Sequence, residues 1–306
     1  MRLAVLADVH GNLPALEAAL ADLAKHDVEG IIVAGDHLTG GPYPMEAMRL
    51  LRSLDGWMIR GNTGNYLLAY DAGYAPNAWQ GSSQWATMRW SYRQVDRETL
   101  DFLAALPEQT VIDLHGTAPI RVVHGSPRDP SEPLFPDRDP ITMGTFRRAG
   151  LLSSGRDPVE LGEVLVQVNE RVLVCGHTHI PWTQEQGGQL AFNPGSVGSP
   201  INGDVRAQYA LLAWRDDRWQ VEHRAVSYDL DRTRAAFSQN GLLAEGGGFA
   251  QACLLSLETG QNVAGYLVSH AYTLAAEAGF EDSDVVPDDI WARAVATFNW
   301  DTIPLD

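Results

Sequence analysis

Residues that hold divalent cations well stand just beyond short apolar runs of this chain. Asp8 and His10 follow the run at 3–7, Asp36 follows 31–34, and Asn62 follows 57–59 by way of Arg60 and Gly61. His124 closes the run at 120–123, and His177 and His179 close that at 172–175. Imidazole, carboxylate and amide donors together suit borderline ions such as Mn, Fe, Zn, Co or Ni. In an extended segment, side chains two residues apart share a face. Asp8-Val9-His10 and His177-Thr178-His179 would then each pinch one ion or reach two neighbouring ions. A carboxylate such as Asp36 can bridge two ions. Paired metals roughly 3.5–4 Å apart are a known device for displacement at phosphorus.

The runs themselves have the length and composition of strands buried on both faces, with Gly at their ends. In open α/β sheets, ligands bind beyond the carboxyl ends of the strands, which is where each of these polar groups falls. Residues 1–60 read as β-α-β-α-β. A helix capped by Asn12 extends to about Lys25, with Leu13, Leu16, Leu20 and Leu23 at helical spacing. A second covers 44–54, with Met45, Met48 and Leu51 inward, after a turn at Gly40, Gly41 and Pro42. Residues 63–107 form a helical insertion rich in aromatics, among them Tyr66, Tyr70, Tyr74, Trp79, Trp85, Trp90 and Tyr92. The spacing of Trp85, Met88 and Tyr92 favours a helix-face core over a stacking surface for a nucleobase. Strands at 110–114 and 119–123, a loop broken by prolines after His124, and a helix near 158–168 come next. Strands at 182–186, 190–192, 209–214 and 219–227 read as consecutive antiparallel neighbours, the last two joined at Asp216 and Asp217. Helices at 249–257, 263–278 and 288–298 end the chain, preceded by a hinge or turn at Gly246, Gly247 and Gly248. The expected fold is α/β, a four-layer α/β/β/α sandwich of two mixed sheets flanked by helices, with a helical C-terminal extension.

With 306 residues, 45% of them hydrophobic, the chain can bury one large core or two small ones. No apolar stretch approaches the ~20 residues of a membrane span. The N-terminus enters a strand without a basic n-region, so cytoplasmic residence is expected. Two cysteines make no disulfide framework, and Cys175, inside an apolar run, reads as a small core residue. The net charge of −17 argues against long nucleic acid or an anionic membrane as partner. It leaves room for a small phosphorylated substrate, because bound cations reverse the potential inside a site.

Asp8-Val9-His10, Gly35-Asp36, Gly61-Asn62, His124-Gly125 and Gly176-His177-Thr178-His179 occur in that order. Together the five resemble the signature of the calcineurin-like metallophosphoesterases. The segments 40–44, 124–130 and 193–198 are similar to its bacterial and archaeal branch of small phosphodiesterases. The resemblance covers about 1–228, a metallophosphoesterase domain containing the insertion, with 229–306 packed on that domain. It implies two divalent ions, most often Mn. One would be held by Asp8, His10, Asp36 and His179, the other by Asp36, Asn62, His124 and His177. It further implies a metal-bridging hydroxide as nucleophile, with Asp36, Asn62 and His124 at the catalytic centre. The implied activity is hydrolysis of phosphodiester or nucleotide-type substrates. Alternatives are a phosphomonoesterase, a dinucleoside polyphosphate hydrolase and, in another class, a non-catalytic metal-binding interaction module. Many relatives carry His directly after the Asn, where this chain has Thr63, a poor acid at neutral pH. His37 is the nearest alternative proton donor, with a second reading as a supporting imidazole. Arg128 and Arg138 could clamp a phosphate, or pair with Asp129, Asp137 or Asp139 in their own loop. The C-terminal helices would cap the pocket or form a homodimer contact.

Overall fold

The computed structural model describes residues 1–136, 159–280 and 285–301. The strands of the first half are β1 (Arg2–Leu6), β2 (Gly30–Ala34), β3 (Gly56–Ile59), β4 (Gln109–Ile112), β5 (Ile120–Val123) and β6 (Leu134–Phe135). Those of the second are β7 (Val159–Glu160), β8 (Val172–Val174), β9 (Trp182–Gln186), β10 (Gln189–Asn193), β11 (Ala207–Arg215) and β12 (Arg218–Val226). One sheet has the order β12-β11-β1-β2-β3, with β1, β2 and β3 parallel. The other has the order β4-β5-β8-β10-β9, with β5, β8 and β10 parallel.

Strand alternation shares the apolar residues between two cores. Leu3, Val5, Ile32 and Ala34 meet Val122, Val174 and Phe192 of the opposite sheet, forming the sandwich interior. Ala4, Leu6 and Val33 face outward onto the helices α1 (Leu13–Leu23) and α2 (Pro44–Arg52). The Asn12 side chain caps α1 by accepting the Ala15 N–H, as its place before the helix predicts. Within the insertion lie α3 (Asn62–Asp71), α4 (Asn77–Gly81), α5 (Ala86–Gln94) and α6 (Arg97–Ala105). On the far face of the second sheet, Leu173, Cys175 and Ala191 pack against α7 (Leu161–Leu165). The four layers are those expected from the sequence.

The C-terminal segment contains α8 (Leu230–Gln239), α9 (Leu242–Thr259), α10 (Val263–Glu277) and α11 (Asp288–Thr297). The sequence reading omitted α8, whose buried face is only Thr233, Ala236 and Phe237. It also began α9 seven residues late. The Gly triplet does break α9, with Gly247 at φ 60° and ψ −142°, but helix precedes the break. Trp90 of α5 packs with Phe237, Leu242, Ala250 and Leu257, so the insertion and the C-terminal helices share a core.

Three further readings require correction. The strands between 182 and 227 are two separate hairpins, β9-β10 and β11-β12, in different sheets. The connection between them crosses the sandwich, where Val197 and Gly198 donate their N–H groups to Ala7 O and Asp8 O. The proline-dense loop does contain a strand, β6, paired parallel with β7. The helix expected at 158–168 contracts to α7, with residue 158 outside the described residues.

Candidate metal centre

The carboxyl ends of the parallel strands converge at one end of the sandwich. Asp8 and Asp36 each lie two residues past their strands, β1 and β2, while Asn62 opens α3 after β3. From the other sheet, His124 directly follows β5, and His177 and His179 follow β8. The backbone is left-handed at Asp8 (φ 54°), His10 (48°), Asp36 (52°), His177 (66°) and His179 (57°). Among the described residues, the remaining non-glycine positive-φ positions are Asp216 and Asp217, in the β11-β12 turn. Left-handed backbone costs an L-residue about 1–2 kcal/mol, and such strain gathers at functional sites. The D-x-H and H-x-H pairs therefore meet through sharp turns past the strand ends, and not through the extended alternation expected.

Three rings are oriented by backbone carbonyls. Nδ1 of His10, His124 and His179 lies 2.7, 2.7 and 2.6 Å from Thr39 O, Ala34 O and Ser199 O. A carbonyl only accepts, so each Nδ1 carries a hydrogen and Nε2 is the ring nitrogen turned toward the cluster. His10 Nε2 and His179 Nε2 face each other at 3.0 Å. His124 Nε2 and His177 Nδ1 approach Asn62 Oδ1 at 3.0 and 3.1 Å. This crowding of ring nitrogens and the amide oxygen around the two carboxylates fits a shared cation. Donor atoms close enough to hold an ion form two groups, Asp8 with His10 and His179, and Asp8 with Asp36 and His124.

Burial acts against charge on both carboxylates, but the surrounding rings outweigh it. His179 and His124 hold Asp8 below the usual carboxylate range, and His124 and His10 do the same for Asp36. Burial likewise opposes a proton on His124, yet Asp36 and Asp8 push that ring up to about 9. His177 moves the other way, to about 4, through burial and the neighbouring His124.

Sequence reasoning missed the residues that hold these loops together. Ser196 Oγ donates to Asp8 O at 2.7 Å, and Asn193 Nδ2 donates to Gly176 O at 2.6 Å and Thr178 Oγ1 at 3.0 Å. Gly35 has a sharper purpose, since a Cβ there would fall 2.5 Å from His124 Nδ1. Thr63, which stands where many relatives carry His, gives both its N–H and its O–H to Asp36 Oδ1, at 3.1 and 2.8 Å.

Neither His37 nor Arg128 lines the adjoining cavity. His37 is 2% exposed and is held down to about 4 by burial. The Arg128 fork is occupied by Glu132, at 2.9 Å from Nε and 2.7 Å from Nη2, a partner not weighed in the sequence. Arg138, Asp137 and Asp139 lie outside the described residues. The cavity, about 320 Å³, opens beside His10, Thr63 and His179, and its walls include Tyr66, Trp85, Phe249 and Val268.

Residues 1–217 match the calcineurin-like phosphoesterase superfamily domain, and the chain belongs to that family, whose members depend on metal. The fold and the cluster at its strand ends accord with that membership. Phosphodiesterase YfcE of Escherichia coli (strain K12) is 26% identical over 214 residues, covering 69% of this chain and 87% of YfcE. An uncharacterized protein of Methanocaldococcus jannaschii is 27% identical over 262 residues, 78% of this chain and 93% of its own. The crystal structure of a metallophosphoesterase from Sphaerobacter thermophilus superposes with a TM-score of 0.64 at 26% identity. That match covers 85% of this chain and 99% of that one.

Proposed function

We propose that this chain is a dinuclear metal-dependent phosphoesterase that hydrolyses phosphodiester substrates in preference to monoesters. The observation that carries the reading is the pair of donor groups sharing Asp8, with the Nε2 atoms of His10, His124 and His179 held toward the cluster by carbonyls at Nδ1. Asp8, His10 and His179 would hold one ion, and Asn62, His124 and His177 the other. Asp36 stands between them, its Oδ2 3.7 Å from His10 Nε2 and 3.3 Å from His124 Nε2. Divalent ions bound there supply Lewis acidity toward phosphoryl oxygens and lower the pKa of a coordinated water toward ~7.

The chain's own groups do the positioning. Thr63 fixes one oxygen of Asp36 and leaves the other facing the rings, so this carboxylate enters the reaction ionised and preorganised. The same bond engages the Thr63 hydroxyl, which disfavours it as proton donor to the leaving oxygen. Esters of acidic alcohols, which need little protonation on leaving, are the favoured substrates. No Lys or Arg lines the cavity among the described residues. A diester, with one negative charge, makes a smaller demand on such a site than a dianionic monoester.

The test is a Mn-reconstituted comparison of bis(4-nitrophenyl) phosphate, 4-nitrophenyl phosphate and a dinucleoside polyphosphate. The diester should lead in kcat/KM by roughly tenfold or more, and Asp36→Asn should lower it by about 10³-fold with the fold intact. Undiminished hydrolysis in Asp36→Asn, or no hydrolysis of any ester by the native chain, would overturn the proposal.

A further inference from the structure

We propose that the cavity beside the metal centre is a pocket for one uncharged, apolar, aryl-sized organic group of the phosphate ester, closed by the C-terminal helices; this rests on the phosphoesterase reading above. His10 and His179 form part of its wall, so a phosphoryl group at the donor cluster would extend its organic part directly into it. Tyr66, Trp85 and Met88 of the insertion line it together with Phe249, Leu257 and Val268 of the C-terminal helices. No Asp, Glu, Lys or Arg lines it among the described residues. At about 320 Å³ it stands at the small end of ligand pockets, which run from about 300 to 1,000 Å³. That is room for a ring system, not for a polymer.

The polar groups in the wall are largely committed to the chain itself. Gln84 donates to the Tyr272 hydroxyl and accepts the Val286 N–H. Thr87 Oγ1 donates to Gly246 O, and Ser256 Oγ donates to Ala252 O while accepting the Ala264 N–H. Asn262 Oδ1 caps α10 through the Gly265 N–H. A pocket built to read a nucleobase edge would keep such groups available. Here they stiffen the walls, and apolar surface is left to meet the ligand. A group bearing further phosphates would have to enter uncompensated, at a steep desolvation cost. The insertion and the C-terminal helices both contribute lining residues and share the core around Trp90, so the pocket depends on both.

The experiment is calorimetric titration of the Mn-loaded full chain with three non-hydrolysable probes: methylphosphonate, phenylphosphonate and 4-carboxyphenylphosphonate. Burial of the ring should make phenylphosphonate bind roughly tenfold or more tighter than methylphosphonate, and the added carboxylate should abolish that advantage. Ala264→Phe, which narrows the pocket, and Val268→Glu, which charges it, change lining residues and should each erase the ratio of phenyl to methyl affinity. Equal binding of the methyl and phenyl probes would overturn the pocket but leave the phosphoesterase reading standing, as would a phenyl preference that survives both variants. If Mn binds and none of the three probes does, the phosphoesterase reading itself fails. The three-probe comparison on the native chain decides the matter even if one variant does not fold.

Discussion

The carboxylate of Asp36 owes its placement to residues with no metal-binding chemistry of their own. Thr63 holds Oδ1 twice, and Gly61 admits it, since a Cβ at Gly61 would collide with that oxygen. Gly61→Ala should therefore weaken Mn binding by roughly 10–100-fold, the range seen when the support of a ligand is lost. Thr63→Val, which keeps the backbone N–H, should cost less. Calorimetric Mn titration checks both, and an unchanged affinity in Gly61→Ala would exclude Asp36 from the ion's coordination. The convergence of the seven donors was legible because imidazole, carboxylate and amide side chains announce their chemistry and stood at recognisable strand ends. Their aim was not legible. It comes from the carbonyls of Thr39, Ala34 and Ser199, and every residue has a carbonyl. Arg128 pairs within its own loop, as one of its two readings had it, but with Glu132, four residues on, and not with an aspartate.

Between elements, a charged cluster ties α1 to the β11-β12 hairpin. Asp22, at the end of α1, accepts from the Tyr209 hydroxyl at 2.7 Å and from Arg224 Nη2 at 3.0 Å. The Tyr209 bond and the Arg224 cation, against the opposing effect of burial, keep its carboxyl well below the usual range. A carboxylate depressed in the folded state stabilises above its unfolded pKa, about 3.9, and loses that contribution as pH falls toward the folded value. Asp22→Asn should thus cost about 2–3 kcal/mol at pH 7. The gap between variant and native protein should narrow below about pH 4. Denaturant melts at several pH values measure it; a difference constant from pH 7 to 3 would contradict the assignment. Strands β1, β2, β5 and β8 could be read from sequence because burial on both faces makes them continuous apolar runs. Sheet membership of the last four strands could not. Local alternation marks a hairpin, whereas the crossover between hairpins depends on Val197 and Gly198 meeting the loop after β1.

Over the whole molecule, the two sheets bring the donor side chains together and the helical additions line the cavity beside them. The aromatics of the insertion divide accordingly. Trp90 is core, Trp79 stacks on Trp85 with centroids 3.9 Å apart, and Tyr66 and Trp85 line the cavity. Their sequence spacing favoured packing alone, because the rest of the cavity lining is supplied from some 160 residues further along the chain. No helix among the described residues is long and apolar enough to cross a membrane. The acidic balance of −17 makes the metal centre the natural place for an anion to be held. The most direct test is anomalous diffraction from crystals of the full chain grown with Mn. Two anomalous peaks roughly 3.5–4 Å apart are expected, one against His10 and His179 and the other against His124 and His177, with Asp36 between them. Diffraction showing no Mn at this cluster, or ions bound only elsewhere on the surface, would contradict the account.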